Sequence, residues 1–175
     1  MHVKKTAAVV AAALGLLAVL APGANALDYG PYSVTNLAGP RCLDAAAQYN
    51  GANGTPVQLW DCYGPGQLNQ QWYLRYVSYY SEYQVVNKAS GRCLDAAAQY
   101  NGANGSPIQL WDCYGPGQLN QVWYVYRDSG DHYILRSKGS GRVVDAAAQY
   151  NSVNGTPIQL WDDLGQGQLN QRWHM

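Results

Sequence analysis

The sequence predicts an all-β, barrel-like domain built from three copies of one unit around a pseudo-threefold axis, with twelve short strands in all. Three observations predict it. The stretch Arg41 to Gln70 returns from Arg92 to Gln121 with two differences, Thr55/Ser106 and Val57/Ile108, and again in looser form from Arg142 to Gln171. All six tryptophans obey that period of about fifty residues, with Trp60, Trp111 and Trp161 in one column and Trp72, Trp123 and Trp173 in the other. Each unit also divides into short β-rich or alternating runs separated by Gly, Asn and Pro turns.

The chain opens with Lys4 and Lys5, then an apolar run from Thr6 to Leu20 that Pro22 and Gly23 interrupt before the small-x-small triplet Ala24-Asn25-Ala26. That run is shorter than the roughly 20 apolar residues of a spanning helix. We therefore expect a signal peptide over 1–26 and a bacterial-type exported, extracellular protein. The mature domain then covers 27–175, with repeats at approximately 27–78, 79–129 and 130–175. That length fills one domain and leaves no room for a separate catalytic one.

Within the first unit, Tyr32 to Asn36 reads as a strand ending in the Leu37 to Pro40 turn, and Arg41 to Asp44 as a second strand. The turn dipeptides Asn50-Gly51 and Asn53-Gly54 limit the Ala45-Ala46-Ala47 run to a single helical turn. Val57 to Cys62 alternates as a half-buried strand should, and Gln71 to Val77 follows the Gly64-Pro65-Gly66 loop. The tyrosine-rich connection Tyr76 to Tyr83 is expected to be a loop between repeats. One such unit cannot bury its own apolar face, so Leu43, Val57, Leu59, Trp72 and their equivalents should form one shared core. Closure would also remove exposed sheet edges.

Formal net charge is zero and no basic run is present, which leaves nucleic acid and anionic membrane surfaces with little to hold. Charged residues are few while Tyr, Asn, Gln and Gly abound, a composition suited to neutral, hydroxyl-rich ligands. The four cysteines allow three pairings, and their equal spacing in two copies favours Cys42–Cys62 and Cys93–Cys113. Export permits both bridges, each worth on the order of 3 kcal/mol in the chain-entropy account. No Cys-x-x-Cys pair supports zinc, and we expect neither metal nor cofactor. The third copy has Val143 and Asp163 instead, so the bridge is a staple rather than a folding requirement.

Strand parity sorts the remaining residues. With Val57 and Leu59 inward, Gln58, Trp60 and Cys62 share the other side; with Leu43 inward, Cys42 and Asp44 face outward. Asn69 and Gln70, just before Trp72, reach the same place. An exposed indole, a carboxylate acceptor and amides that both donate and accept make a set that matches a sugar ring and its hydroxyls.

Cys-Leu-Asp, Asn-Gly-Thr-Pro-Val-Gln-Leu-Trp-Asp-Cys and Asn-Gln-Gln-Trp together resemble the ricin B-chain-type lectins, a family that includes carbohydrate-binding modules of bacterial glycosidases. The resemblance covers essentially the whole mature chain, and Gln-x-Trp recurs in all three copies. It implies a β-trefoil with up to three pockets for galactose-, xylose- or arabinose-type sugars. The first pocket would comprise Asp44, Gln58, Trp60, Asn69 and Gln70. The second would comprise Asp95, Gln109, Trp111, Asn120 and Gln121, and the third Asp145, Gln159, Trp161, Asn170 and Gln171. The Gln-x-Trp tryptophans would be core. The third copy departs by Ser152-Val153, Leu164 and Gln166, and it has only two residues after Trp173. We expect a working but altered third site in the least rigid repeat.

These observations make the expected protein a monomeric, multivalent lectin for polysaccharide or glycan chains, not an enzyme. A glycosidase needs two carboxylates about 5–10 Å apart, whereas parity places Asp44 and Asp61 on opposite faces. Glu82 is the single glutamate, and His132 and His174 have no repeated partner. A protein-binding trefoil such as a protease inhibitor is the alternative, although this chain repeats its loops instead of displaying one distinctive loop. Asn53-Gly54-Thr55 and its equivalents match a glycosylation sequon, but the turn explains them. No EF-hand pattern is present, and Gly64-Pro65-Gly66 lacks the lysine of a phosphate loop.

Overall fold

β-Branched and aromatic residues in short alternating runs favour pleated strands, and they form them throughout this computed structural model. It describes residues 28–78 and 80–175, so the expected signal peptide lies outside the described residues. The first repeat holds β1 (Asp28–Ser33), β2 (Thr35–Asn36), β3 (Cys42–Ala45), β4 (Val57–Trp60) and β5 (Gln71–Ser78). The second holds β6 (Glu82–Asn87), β7 (Cys93–Ala96), β8 (Ile108–Trp111) and β9 (Trp123–Arg127). The third holds β10 (Tyr133–Ser137), β11 (Val143–Ala146), β12 (Ile158–Trp161) and β13 (Trp173–His174). Thirteen strands appear among the described residues instead of twelve, because the opening run is interrupted at Val34.

The strands pair in the order β1-β5-β6-β9-β10-β13-β2. Since β1 and β2 are consecutive, the path returns to its start. Hairpins β3–β4, β7–β8 and β11–β12 branch from it, and isolated bridges Pro56↔Gln109, Pro107↔Gln159 and Gln58↔Pro157 tie each hairpin to the next. One expectation is corrected here. Tyr76 to Tyr83 is not loop throughout but the end of the β5–β6 hairpin that joins the first repeat to the second, with Tyr76 opposite Tyr83 and Ser78 opposite Glu82. Tyr76 and Tyr83 lie on the paired strands, as their β preference favours, while Tyr80 sits exposed in the turn.

The core is shared by all three repeats. Leu43, Leu59, Trp72, Leu94, Leu110, Trp123, Val144, Leu160 and Trp173 are completely buried. Burying an indole leaves one donor to satisfy. Trp72 Nε1 donates to the Leu43 carbonyl at 2.9 Å, Trp123 to Leu94 at 3.0 Å and Trp173 to Val144 at 3.3 Å.

A polar latch joins successive repeats. Asn53 Oδ1 accepts from Arg92 Nε at 2.8 Å, while Asn53 Nδ2 donates to Asp112 Oδ2 at 2.8 Å. Asn104 joins Arg142 and Asp162 in the same way, and Asn154 joins Arg41 and Asp61, so the third repeat closes onto the first. The asparagine of each sequon is thus an inter-repeat strut as well as a turn residue.

Both bridges form as expected, Cys42–Cys62 and Cys93–Cys113. In the third repeat an ionic cluster stands in their place. Asp163 accepts from Arg136 at 2.7 Å and from Arg172 at 3.0 Å, and Arg172 also donates to Asp128 at 2.9 Å. Arg172 is buried at a position that Gln71 and Val122 occupy in the other copies.

Candidate functional site

Each repeat brings one β-hairpin and one 3₁₀ turn together. In the first, Asp44 on β3 lies directly opposite Gln58 on β4, and the turn Leu68–Gln70 delivers two further amides. Gln58 Nε2 donates to Asp44 Oδ1 at 3.0 Å; Asn69 Nδ2 and Gln70 Nε2 donate to Oδ2 at 2.8 and 3.0 Å. The second repeat repeats the arrangement on Asp95 with Gln109, Asn120 and Gln121 at 3.1, 2.9 and 3.0 Å. The third does so on Asp145 with Gln159, Asn170 and Gln171 at 2.9, 2.8 and 2.9 Å. In every copy the five expected residues come together, with Trp60, Trp111 and Trp161 half-buried at the edge of the same place.

Parity placed Asp44 correctly on the side of Gln58 and Trp60, away from the core, but did not foresee its cover: β3 is buried along its whole length, with Asp44 only 4 % exposed. The cause is the 3₁₀ turn, whose amides lie over the carboxylate and cover the hairpin's outer side. Alternation holds on β4, where Val57 and Leu59 are buried while Gln58 and Trp60 are half-buried.

Roles divide accordingly. Gln70 is buried with its amide committed: Nε2 serves Asp44 and the Asp61 carbonyl, and Oε1 accepts from the Tyr63 N–H at 3.1 Å. Gln121 and Gln171 are bonded alike, so these three glutamines position the aspartates. Burial raises the Asp44, Asp95 and Asp145 carboxyls above the usual aspartate value; the three amide bonds on each pull the other way without cancelling it.

Asp44, Gln58, Trp60 and Asn69 line an open hollow of about 210 Å³, and Asp95, Gln109, Trp111 and Asn120 line one of about 220 Å³. Sequence reasoning missed three contributors. Gln48 and Gln99 line these hollows with side-chain amides that have no hydrogen-bond partner among the described residues, and Gln67 and Gln118 line them too. Tyr63 and Tyr114 stand beside the tryptophans, accepting from Trp60 Nε1 at 3.3 Å and from Trp111 Nε1 at 3.1 Å. The available signal was identity across the copies, since Gln48, Gln99 and Gln149 share one column. Leu164 replaces the tyrosine in the third repeat and gives the Trp161 indole no such acceptor.

Several other titratable residues are engaged elsewhere. Asp61 pairs with Arg41 at 3.3 Å, and the buried Glu82 pairs with Lys138 at 2.7 Å. His132 and His174 stack edge to face with ring centres 5.8 Å apart. Among the described residues no group of His, Cys, Asp or Glu side chains is arranged to hold a metal ion.

A threefold all-β domain with a tryptophan, a buried aspartate and its amides in each third is the class that fold and site define: a β-trefoil. Residues 30–173 match the ricin-type β-trefoil lectin domain, and the chain belongs to that family. No curated protein matches it in sequence. Its structure resembles the designed threefold-symmetric protein ThreeFoil, with 26 % identity, TM-score 0.70 and coverage of 83 % of this chain and 97 % of that one. It also resembles an exo-β-1,3-galactanase from Clostridium thermocellum, with 27 % identity, TM-score 0.70 and coverage of 82 % of this chain but only 29 % of that one. A Macrolepiota procera ricin B-like lectin in complex with lactose shares the fold at 18 % identity and TM-score 0.65, over 82 % of this chain and 92 % of that one.

Proposed function

We propose that this protein is an exported, non-catalytic lectin that binds neutral sugars of galactose, xylose or arabinose type on polysaccharide chains through up to three pockets. The observation that carries this is the threefold pairing of a half-buried tryptophan with an aspartate held by three amides. The indole offers a flat apolar face to the C–H side of a pyranose. The carboxylate accepts from hydroxyls, and charge-assisted bonds of this kind contribute roughly 1.5–3 kcal/mol. The lactose complex of the Macrolepiota procera lectin supports a sugar ligand for this fold. Asp61 is held by Arg41 and Asn154, which supports a binding role over hydrolysis.

Single open pockets of this kind bind weakly. Two or three engaged on one polymer raise avidity by roughly 10²–10⁴ without new contacts. The test is a glycan and polysaccharide array probed with residues 27–175, with free galactose, xylose and arabinose as competitors. Binding that free sugar displaces is expected. A partner insensitive to every sugar would favour the protein-binding alternative, and hydrolysis by the pure chain would overturn the non-catalytic assignment. Export is tested separately by the amino terminus of protein recovered from culture medium, expected at Leu27.

A further inference from the structure

A second set of hollows lies beside the tryptophan sites. In the first repeat a hollow of about 330 Å³ is lined by Asn50, Gln67, Leu68, Asn69, Ala89 and Ser90, among others. Its counterpart in the second repeat, also about 330 Å³, is lined by Asn101, Gln118, Leu119, Asn120, Gly139 and Ser140. The third, about 440 Å³, is lined by Ala38, Asn151, Ser152, Gln168, Leu169 and Asn170. Each therefore sits at the seam between two repeats. None contains an ionisable side chain.

In the first two repeats these hollows adjoin the tryptophan hollows. Ala47, Gln67 and Asn69 line both cavities of the first repeat, and Ala98, Gln118 and Asn120 line both of the second. These shared residues form the wall between them. Gln67 donates to Asn69 there at 2.8 Å, and Gln118 to Asn120 at 2.8 Å, and neither glutamine carbonyl oxygen has a donor among the described residues. The Asn50 and Asn101 side-chain amides, which line the seam hollows only, have no hydrogen-bond partner among the described residues. Leu68 and Leu119 are each 45 % exposed and supply an apolar wall.

An apolar wall, unpaired amides and no charge are the requirements of another neutral sugar unit. We infer that the seam hollows of the first two repeats are subsites for the next residue of the same glycan chain, whose first residue stacks on Trp60 or Trp111. This rests on the proposed lectin function and extends it. The protein reads internal stretches of a chain as well as single terminal units, and one bound chain spans the boundary between two repeats. With no charged group in the hollow, the added affinity should not depend on salt.

The test uses the chain with Trp111→Ala and Trp161→Ala, so that the first repeat acts alone. Xylose, galactose and arabinose are each titrated by calorimetry against their own linear trisaccharide. One or two net hydrogen bonds in the seam should make the best trisaccharide bind roughly tenfold tighter than its monosaccharide. Ala89→Trp, which fills the seam without touching the Trp60 hollow, should abolish that gain and leave monosaccharide affinity unchanged. Asn50→Gly should reduce the gain without adding bulk, because Asn50 sits at φ +51, where glycine is at ease. Equal affinity for monosaccharide and trisaccharide, or a gain that survives both substitutions, overturns the subsite while leaving the lectin intact. Failure to bind any monosaccharide or trisaccharide removes both.

Discussion

Asp163 accepts a hydrogen bond from Arg172 at 3.0 Å at the position where the first two repeats carry the second sulfur of a cystine. Its partner at the other cystine position, Val143, lies opposite Arg136, which also bonds Asp163. The third repeat replaces a covalent staple with a guanidinium–carboxylate clamp.

That clamp should respond to acid and not to reductant. Burial tends to raise the Asp163 carboxyl, but the Gly165 N–H and the Arg172 and Arg136 guanidinium groups outweigh it and hold it below the usual aspartate value. A depressed carboxyl stabilises above its unfolded pKa and loses that contribution as pH falls through the folded value. Arg172→Met should therefore lower the melting temperature at pH 7 and flatten its fall in acid. Reduction should instead destabilise the chain through Cys42–Cys62 and Cys93–Cys113, by on the order of 2–4 kcal/mol for each bridge. Calorimetric scans with and without reductant separate the two.

Sugar binding should follow the opposite kind of carboxyl. Asp44, Asp95 and Asp145 are raised by burial, so in the window above 3.8 the folded state holds more protons than the unfolded one. Through that window they cost stability as pH rises. Binding needs the ionised acceptor, so affinity should fall on acidification at a pH above that of an ordinary aspartate. Titrating affinity from pH 7 downward checks this; a midpoint at or below 3.8 would contradict it.

Asp44→Ala should damage fold and binding together. It strands the amides of Gln58, Asn69 and the buried Gln70, and each unsatisfied group costs roughly 1–3 kcal/mol. Trp60→Ala should weaken sugar binding roughly thirtyfold, the loss of about 2 kcal/mol usual for a tryptophan anchor, with the fold retained. Trp72→Ala should unfold the domain, since truncating a large buried aromatic costs about 3–5 kcal/mol. Chemical denaturation and calorimetry on the three variants distinguish these outcomes.

A compensated exchange accounts for the third repeat's departure at Ser152. In the first repeat a Cβ on Gly51, at φ +65, would meet the Ser90 Cβ at 2.7 Å. In the third, Ser152 takes the glycine's place and faces Gly39, where serine stands in the other copies. Gly51→Ser should cost roughly 1–3 kcal/mol through overpacking. Adding Ser90→Gly should recover most of it, as denaturant midpoints would show.

How much was legible in advance divides along contact range. The period, the two tryptophan columns and the cystine pairs are local or repeated signals, and they carried the fold. Alternation sorted Gln58 and Trp60 correctly on β4. It gave the side of Asp44 but not its burial, because a turn from residues 68–70 covers that strand, a tertiary contact that parity does not contain. The Asn53–Arg92–Asp112 latch and the Ser152–Gly39 exchange join different repeats, so no single-segment pattern announces them. Tyr76 to Tyr83 reads as loop in the sequence, whereas Tyr76, Ser78, Glu82 and Tyr83 pair across the β5–β6 hairpin and only its tip turns.

The most direct test combines Trp60→Ala, Trp111→Ala and Trp161→Ala in one chain and measures its retention on the polysaccharide that best retains the unaltered protein. Loss of retention, with the melting temperature kept near that of the parent, is the expected result. Undiminished retention by the folded triple variant would show that the glycan is held elsewhere and would contradict the assignment.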